Sequence, residues 1–341
     1  MRNLNQSLKA ALVSAAVLGV ATVLLVSCAT PEAEKPVVGR ISELPPIVYP
    51  ADNPTSAAKV ALGAQLFVDK RLSGNASMSC QGCHYRELGW THGIAFSQRV
   101  DGQTNTRRSP PLYNVGHQSI WYWDGRSATM EAQTMAAWRN QMSADPAKIA
   151  ATLNAVPAYK TQFNQVYGMD ATGENIVKSL TAYLRTKNSD NSPWDQYEKG
   201  NVRAVSKDAV DGFMLFMGKG RCAACHTPPH YGNSTFFNIG LEAGKAKPDV
   251  GRFNVTKKDE DMSAFKTPSL RSVALKAPYF HDGSAPTLEA AVRYMAGGGG
   301  ADSKKSPLIV ATGLNDDEIR KVVKFLESLT STETWAAPAL P

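Results

Sequence analysis

Apolar residues recur at helical spacing in short stretches, separated by long polar or glycine-rich ones. Val60, Leu62, Leu66 and Phe67 predict a helix over residues 56–71, capped by Thr55 or Ser56. Further helices are expected at 127–142, around 146–153, at 175–187, at 207–217 behind Ser206, and at 288–295. A last amphipathic helix at 316–329, capped by Asn315, carries Ile319, Val322, Val323, Phe325 and Leu326 on one face. Residues 85–113 and 233–267 show no periodicity, and loops of that length usually have a functional cause. The polar stretch 189–200, with Pro193, reads as a boundary. Strand signals are sparse.

The N-terminus follows a different pattern. Arg2 and Lys9 flank an apolar run from Ala10 to Val26 that ends in Leu25-Val26-Ser27-Cys28. A small residue followed directly by cysteine resembles a bacterial lipobox, which predicts a signal over 1–28 and lipidation of Cys28. Export to the periplasm follows, and Ala29 favours the outer membrane as the address. An ordinary signal peptide or a membrane helix is the alternative, although the run is short for a span of about 20 residues. Residues 29–53 contain Pro31, Pro36, Pro45, Pro46 and Pro50 and read as an extended tether.

A chain of 341 residues, 43% of them hydrophobic, suffices for two ordinary domains. The net charge of +7 is dispersed, with doublets such as Arg107-Arg108 in place of long basic runs. Nucleic-acid binding is therefore not expected, whereas a mildly basic face for an acidic redox partner is compatible.

The chemistry is concentrated in the five cysteines. Cys28 belongs to the lipobox. The other four form Cys80-Gln81-Gly82-Cys83-His84 and Cys222-Ala223-Ala224-Cys225-His226. Two thiols at this spacing can add to the two vinyl groups of one porphyrin, and the following histidine then lies beneath the iron. A disulfide would not need a histidine after each pair. A four-cysteine zinc site takes pairs roughly 15–20 residues apart, far closer than these. Covalent attachment of two c-type haems is the expectation, on a repeated scheme of helix, motif, long loop and helix. The fold class is thus mostly α, with two cytochrome-c-like domains at 54–195 and 196–335 whose haems face the domain interface.

Further blocks carry a family likeness: Arg108-Ser109-Pro110-Pro111-Leu112-Tyr113-Asn114, Tyr122-Trp123-Asp124-Gly125-Arg126, Thr267-Pro268-Ser269-Leu270-Arg271 and Ala277-Pro278-Tyr279-Phe280-His281-Asp282-Gly283. In this order around two haem motifs, they resemble the bacterial di-haem cytochrome c peroxidase family, whose relatives include MauG-type di-haem oxidases. The likeness covers about residues 54–330.

The resemblance implies a peroxidatic haem ligated by His84 and an electron-storing haem ligated by His226. Met295 falls where the family places a distal methionine; MauG-type relatives use tyrosine, and Tyr294 is adjacent. Trp123 matches the tryptophan proposed to relay electrons between the haems, and Gln133 matches a pocket glutamine. Many relatives block the first iron with a loop histidine, where Val100 stands here; His92 is the only histidine on that loop. Relatives also carry a glutamate about 20 residues after the tryptophan. Ser143 takes that place by ungapped count, with Asp145 and Glu131 as nearby substitutes. Calcium between the haems is the weaker expectation, because Arg108 replaces the asparagine that holds it and Lys276 is near. Arg126 and Arg271 are candidates for haem propionates, whereas His117, His230 and His281 read as structural or propionate-contacting.

The implied activity is reduction of hydrogen peroxide with electrons from a cytochrome c or a cupredoxin. A MauG-type oxidase acting on a protein or organic substrate, and a non-catalytic di-haem electron carrier, are the alternatives. Homodimers are usual in such relatives, with no independent sign in this sequence.

Overall fold

Side-chain caps start most of the helices. The computed structural model describes residues 35–341, so Cys28 and the expected signal lie outside the described residues. Helix α1 (Ala57–Val68) begins where the Ser56 hydroxyl accepts the Lys59 amide. Thr129 caps α2 (Met130–Gln141), and Asp145 caps α3 (Pro146–Asn154) through the Ala147 and Lys148 amides. Helix α4 (Pro157–Tyr167) follows, and α5 (Gly173–Leu184) opens with a capping box between Thr172 and Asn175. In the second half come α6 (Pro193–Glu198), α7 (Lys207–Met217), α8 (Phe253–Thr256), α9 (Leu288–Ala296) and α10 (Asp316–Ser328).

Three helices were not expected: the one-turn α8, inside the stretch read as irregular, and α4 and α6. Both α4 and α6 begin with a proline, which breaks a helix interior but fits its first turn, where no amide partner is needed. The boundary read at 189–200 is therefore partly helical. A two-stranded antiparallel sheet, β1 (Phe236–Phe237) with β2 (Phe265–Lys266), is also new, and Phe236 pairs with Lys266. Strands of two residues are too short to show an alternating pattern.

The buried apolar residues form two clusters. One joins α1 to α5 around Leu66, Phe67, Trp138 and Phe163. The other joins α6, α7 and α10 around Trp194, Phe213, Phe216, Tyr231 and Phe325. Each cluster uses a glycine for a close helix crossing. A β-carbon at Gly63 of α1 would overlap the Ser179 carbonyl of α5, and one at Gly212 of α7 would overlap the Lys321 carbonyl of α10.

The chain ends depart from the expected layout. Ser42 and Asn53 of the proline-rich tether are buried and fully hydrogen-bonded, so the described part of that segment is strapped down. Solvated PPII behaviour requires backbone and side chains free for water; here Glu198 and Thr181 take those contacts. The tail beyond α10 leaves the second half, and Trp335 packs against the first cluster. No helix among the described residues is long and apolar enough to cross a membrane.

Candidate active site

Each C-x-x-C-H motif begins with a tight 3-10 turn, Cys80–Cys83 and Cys222–Ala224. None of the four cysteines is paired in a disulfide. Burial pushes the Cys80 and Cys222 thiols up to about 12, the reverse of the lowered value that a thioredoxin-like redox pair requires.

The histidines are held alike. His84 Nδ1 lies 2.8 Å from the Trp90 carbonyl, and His226 Nδ1 lies 3.0 Å from the Tyr231 carbonyl. Nδ1 therefore carries the proton and Nε2 keeps a free lone pair, the tautomer a metal ligand needs. Burial lowers both histidines to about 4, so both are neutral at pH 7.

A cavity of about 510 Å³ opens beside His84, with Cys80, Cys83, Trp123 and Gln133 in its wall. The buried Trp121 Nε1–H in the same wall has no partner in the protein. Free thiols, an available Nε2 and an orphaned donor suited to a carboxylate fit a covalently attached haem with its propionates.

The structure brings His84, Trp123 and Gln133 together and leaves Ser143 out. Helix α2 presents Gln133, Thr134, Ala137, Trp138 and Gln141 to the cavity, one stripe at helical spacing. The helix ends at Gln141, and Ser143 follows in a left-handed conformation (φ 48°) with its carbonyl against Gly74. Gln141, which an ungapped count from Trp123 overlooked, faces the cavity from the last turn. Continuing the α2 periodicity from Gln133 by two steps of four would have found it.

The carboxylates suggested as substitutes are committed elsewhere. Glu131 accepts from Arg185 at 2.7 Å, from Asn53 and from Thr181. Burial opposes its charge, yet these donors outweigh burial and hold the carboxyl near 2. Asp145 is spent on the α3 cap. Asp124 is the one acid in the cavity wall, and it is clamped by Arg107 at 2.7 Å and Arg126 at 2.9 Å.

Trp123 is fixed on both sides. Its Nε1 donates to the Arg108 carbonyl at 2.9 Å, and its own carbonyl accepts the Lys266 amide at 2.8 Å. Its ring meets that of His281 edge-on at 6.4 Å, and His281 Nε2 lies 2.9 Å from Glu242. His281 is thus a structural neighbour of the tryptophan.

His92 does not line the cavity; its ring packs on Tyr85 at 5.7 Å. Val100 does not line the cavity either: its amide donates to the Gln141 carbonyl at 2.9 Å and its side chain packs against the first cluster. Arg271 is not free for a propionate: it is fully buried and its donors serve Asp195, Pro229, Ser189 and Ser42. Arg126 remains beside the cavity, stacked 3.4 Å over the Tyr122 ring while paired with Asp124. His117 and His230 face each other with ring centroids 4.8 Å apart.

Arg108 is buried and donates to Thr91 at 3.0 Å and to the Lys276 carbonyl, joining the two halves. The Lys276 amine, also buried, donates to the Ser269 carbonyl at 3.1 Å; burial and then Arg108 lower it to about 7. In the second half, the Tyr294 hydroxyl donates to the Ile239 carbonyl at 3.0 Å and its ring packs on Phe280 at 5.3 Å. Tyr294 is engaged, and the half-buried Met295 is the next residue on α9.

Comparison with known proteins agrees with this geometry. Residues 57–203 match the family model described as di-haem cytochrome c peroxidase, and residues 209–330 match that of cytochrome c. The chain is 34% identical to cytochrome-c peroxidase IdrP1 of Denitromonas iodatirespirans, over 96% of this chain and 94% of that one. It is 35% identical to methylamine utilization protein MauG of Methylorubrum extorquens, over 86% and 84% of the respective chains. A solved MauG-like protein associated with microbial copper homeostasis superposes with a TM-score of 0.79 at 30% identity, covering 84% of this chain and 93% of the other.

Proposed function

This chain belongs to the di-haem cytochrome c peroxidase family, and we propose that it reduces hydrogen peroxide to water beside His84 with electrons from a small redox protein. It is an oxidoreductase of the di-haem peroxidase type, with haem c as its cofactor. The observation that carries the proposal is the cavity, which gathers His84, Trp123 and Gln133 while its one carboxylate is clamped.

When bound, the haems supply redox-active iron, one for peroxide and one as an electron store. The protein supplies orientation and potential. His84, fixed through Nδ1, offers Nε2 as the proximal ligand. Gln133 and Gln141 can donate to and accept from a bound peroxide without exchanging protons. The reaction consumes H2O2, two electrons and two protons and yields two waters, so with no free acid in the wall the protons come from solvent. Trp123 provides an aromatic bridge toward the second half, and His226 with Met295 would hold the second haem, where a thioether would favour a higher potential. Arg108 takes the cation's role between the halves, so calcium is not required. The protein is exported to the periplasm by the signal over 1–28 and anchored there by lipid at Cys28, and the donor is a cytochrome c or a cupredoxin. Metabolic labelling with a radioactive fatty acid should mark the native protein and leave Cys28→Ser unlabelled.

The likeness to methylamine utilization protein MauG also supports a second reading, a MauG-type oxidase acting on a protein or organic substrate. Turnover of peroxide with reduced cytochrome c separates the two. Steady donor oxidation dependent on peroxide supports the first reading. A long-lived oxidised form without donor oxidation supports the second, and no reaction with peroxide overturns both.

A further inference from the structure

The carbonyls that hold the two proximal histidines share an unusual backbone. Trp90 (φ 60°) and Tyr231 (φ 52°) both adopt the left-handed conformation, and both are completely buried. Bulky side chains rarely occupy that region and persist there only when the surroundings over-determine them. What surrounds each ring is therefore part of what aims its carbonyl at the histidine.

In both cases a chain terminus does so, and each terminus serves the half opposite its own. Behind Trp90 lies the C-terminal tail. Glu333 accepts from Trp90 Nε1 and from the Tyr113 hydroxyl, each at 3.1 Å. Trp335 meets the Trp90 ring edge-on at 5.5 Å and donates to the Tyr183 hydroxyl at 2.9 Å. The tail is anchored farther on by Gln65 to the Ala339 carbonyl and Arg71 to the Pro341 carbonyl. Behind Tyr231 lies the N-terminal segment. The Ser42 hydroxyl is 2.5 Å from the Tyr231 hydroxyl, and its amide and hydroxyl both donate to Glu198. The Val37 amide donates to the Tyr197 hydroxyl at 3.0 Å.

We propose that the two terminal segments are positioning straps: Glu333 and Trp335 orient His84 through Trp90, and Ser42 orients His226 through Tyr231. Each strap fixes the ring, the ring fixes the strained backbone, and the carbonyl then sets the strength and direction of the bond to Nδ1. That bond governs how strongly the imidazole donates to iron, so loosening it raises the potential of one haem. The inference rests on His84 and His226 being iron ligands and is independent of the oxidant that the iron meets.

The test uses the full-length holoprotein and reads each haem separately by redox titration, and the His84 haem also by its iron–histidine stretch. Glu333→Ala and Trp335→Ala should raise the potential of the His84 haem, with about a tenfold change in its oxidised-to-reduced ratio, about 59 mV for one electron. The His226 haem should stay unchanged. Glu333→Gln keeps an acceptor for Trp90 and should restore the native signature, which guards against loss through misfolding. Ser42→Ala should give the mirror result, moving only the His226 haem. If Glu333→Ala moves neither haem or moves both equally, or if Glu333→Gln fails to restore the signature, the proposal is wrong.

Discussion

The two haem-binding halves are alike beneath the iron and different above it. Both place a neutral histidine on a left-handed aromatic carbonyl, and both close their helical core with a glycine crossing. In the rest of each half they part. His84 faces a cavity of about 510 Å³ walled by glutamines, tryptophans and a clamped aspartate. In the other half, Tyr294 is held by the Ile239 carbonyl, and Met295 is left as the proposed thioether ligand. On the proposed reading the repeated motif serves attachment and ligation, while the non-repeated elements, α2 in one half and α9 in the other, give the halves different tasks.

The largest effect should come from removing one half's chemistry alone. His84→Ala should abolish peroxide turnover while leaving the absorption spectrum of the His226 haem intact, as difference spectra would report. Equal damage to both haem spectra would break the claimed independence. Met295→Ala should then abolish the methionine-to-iron absorption band and lower that haem's potential by at least about 59 mV, a tenfold change in its redox ratio.

A smaller effect distinguishes a structural acid from a catalytic one. Glu131 in α2 is held near 2, below its ordinary 4.5. A depressed carboxyl stabilises the fold fully above its unfolded value, so about 3 kcal/mol is present at pH 7 and is lost as pH falls from about 4.5 toward 2. Glu131→Gln should remove most of this in chemical denaturation at pH 7 and leave the pH profile of turnover unshifted. A shifted profile would restore Glu131 as the missing acid. Gly63→Ala and Gly212→Ala should each cost about 1–3 kcal/mol by overpacking, one in each half. Smallest of all, chelating divalent cations should leave turnover unchanged, because Arg108 already holds the Lys276 carbonyl.

Much of this was legible in the residues. The C-x-x-C-H motifs and the helices at 207–217 and 316–329 follow from spacing and caps, which act over a few positions. A cap at Thr55 or Ser56 also marked the start of α1, and α3 was placed by periodicity close to its observed bounds. The place of Ser143 was misread because an ungapped count assumes a fixed loop, whereas α2 ends at Gln141 and the chain then turns left-handed. Helices α4 and α6 were hidden behind prolines that start helices as readily as they stop them. Nothing local in Ser42 or Glu333 announces its role. Their partners lie more than a hundred positions away in Glu198, Tyr231 and Trp90, and only the folded chain brings them together.

The inequality of the two halves is tested most directly by a single-turnover experiment. The His226 haem is reduced selectively with reduced cytochrome c, excess donor is removed, and one equivalent of hydrogen peroxide is added while both haem spectra are followed. The account predicts rapid loss of the reduced His226 haem signal with half an equivalent of peroxide consumed per reduced haem, since each supplies one of the two electrons, and no loss in His84→Ala. Persistence of the reduced signal in the native protein, or its equal loss in His84→Ala, would contradict it.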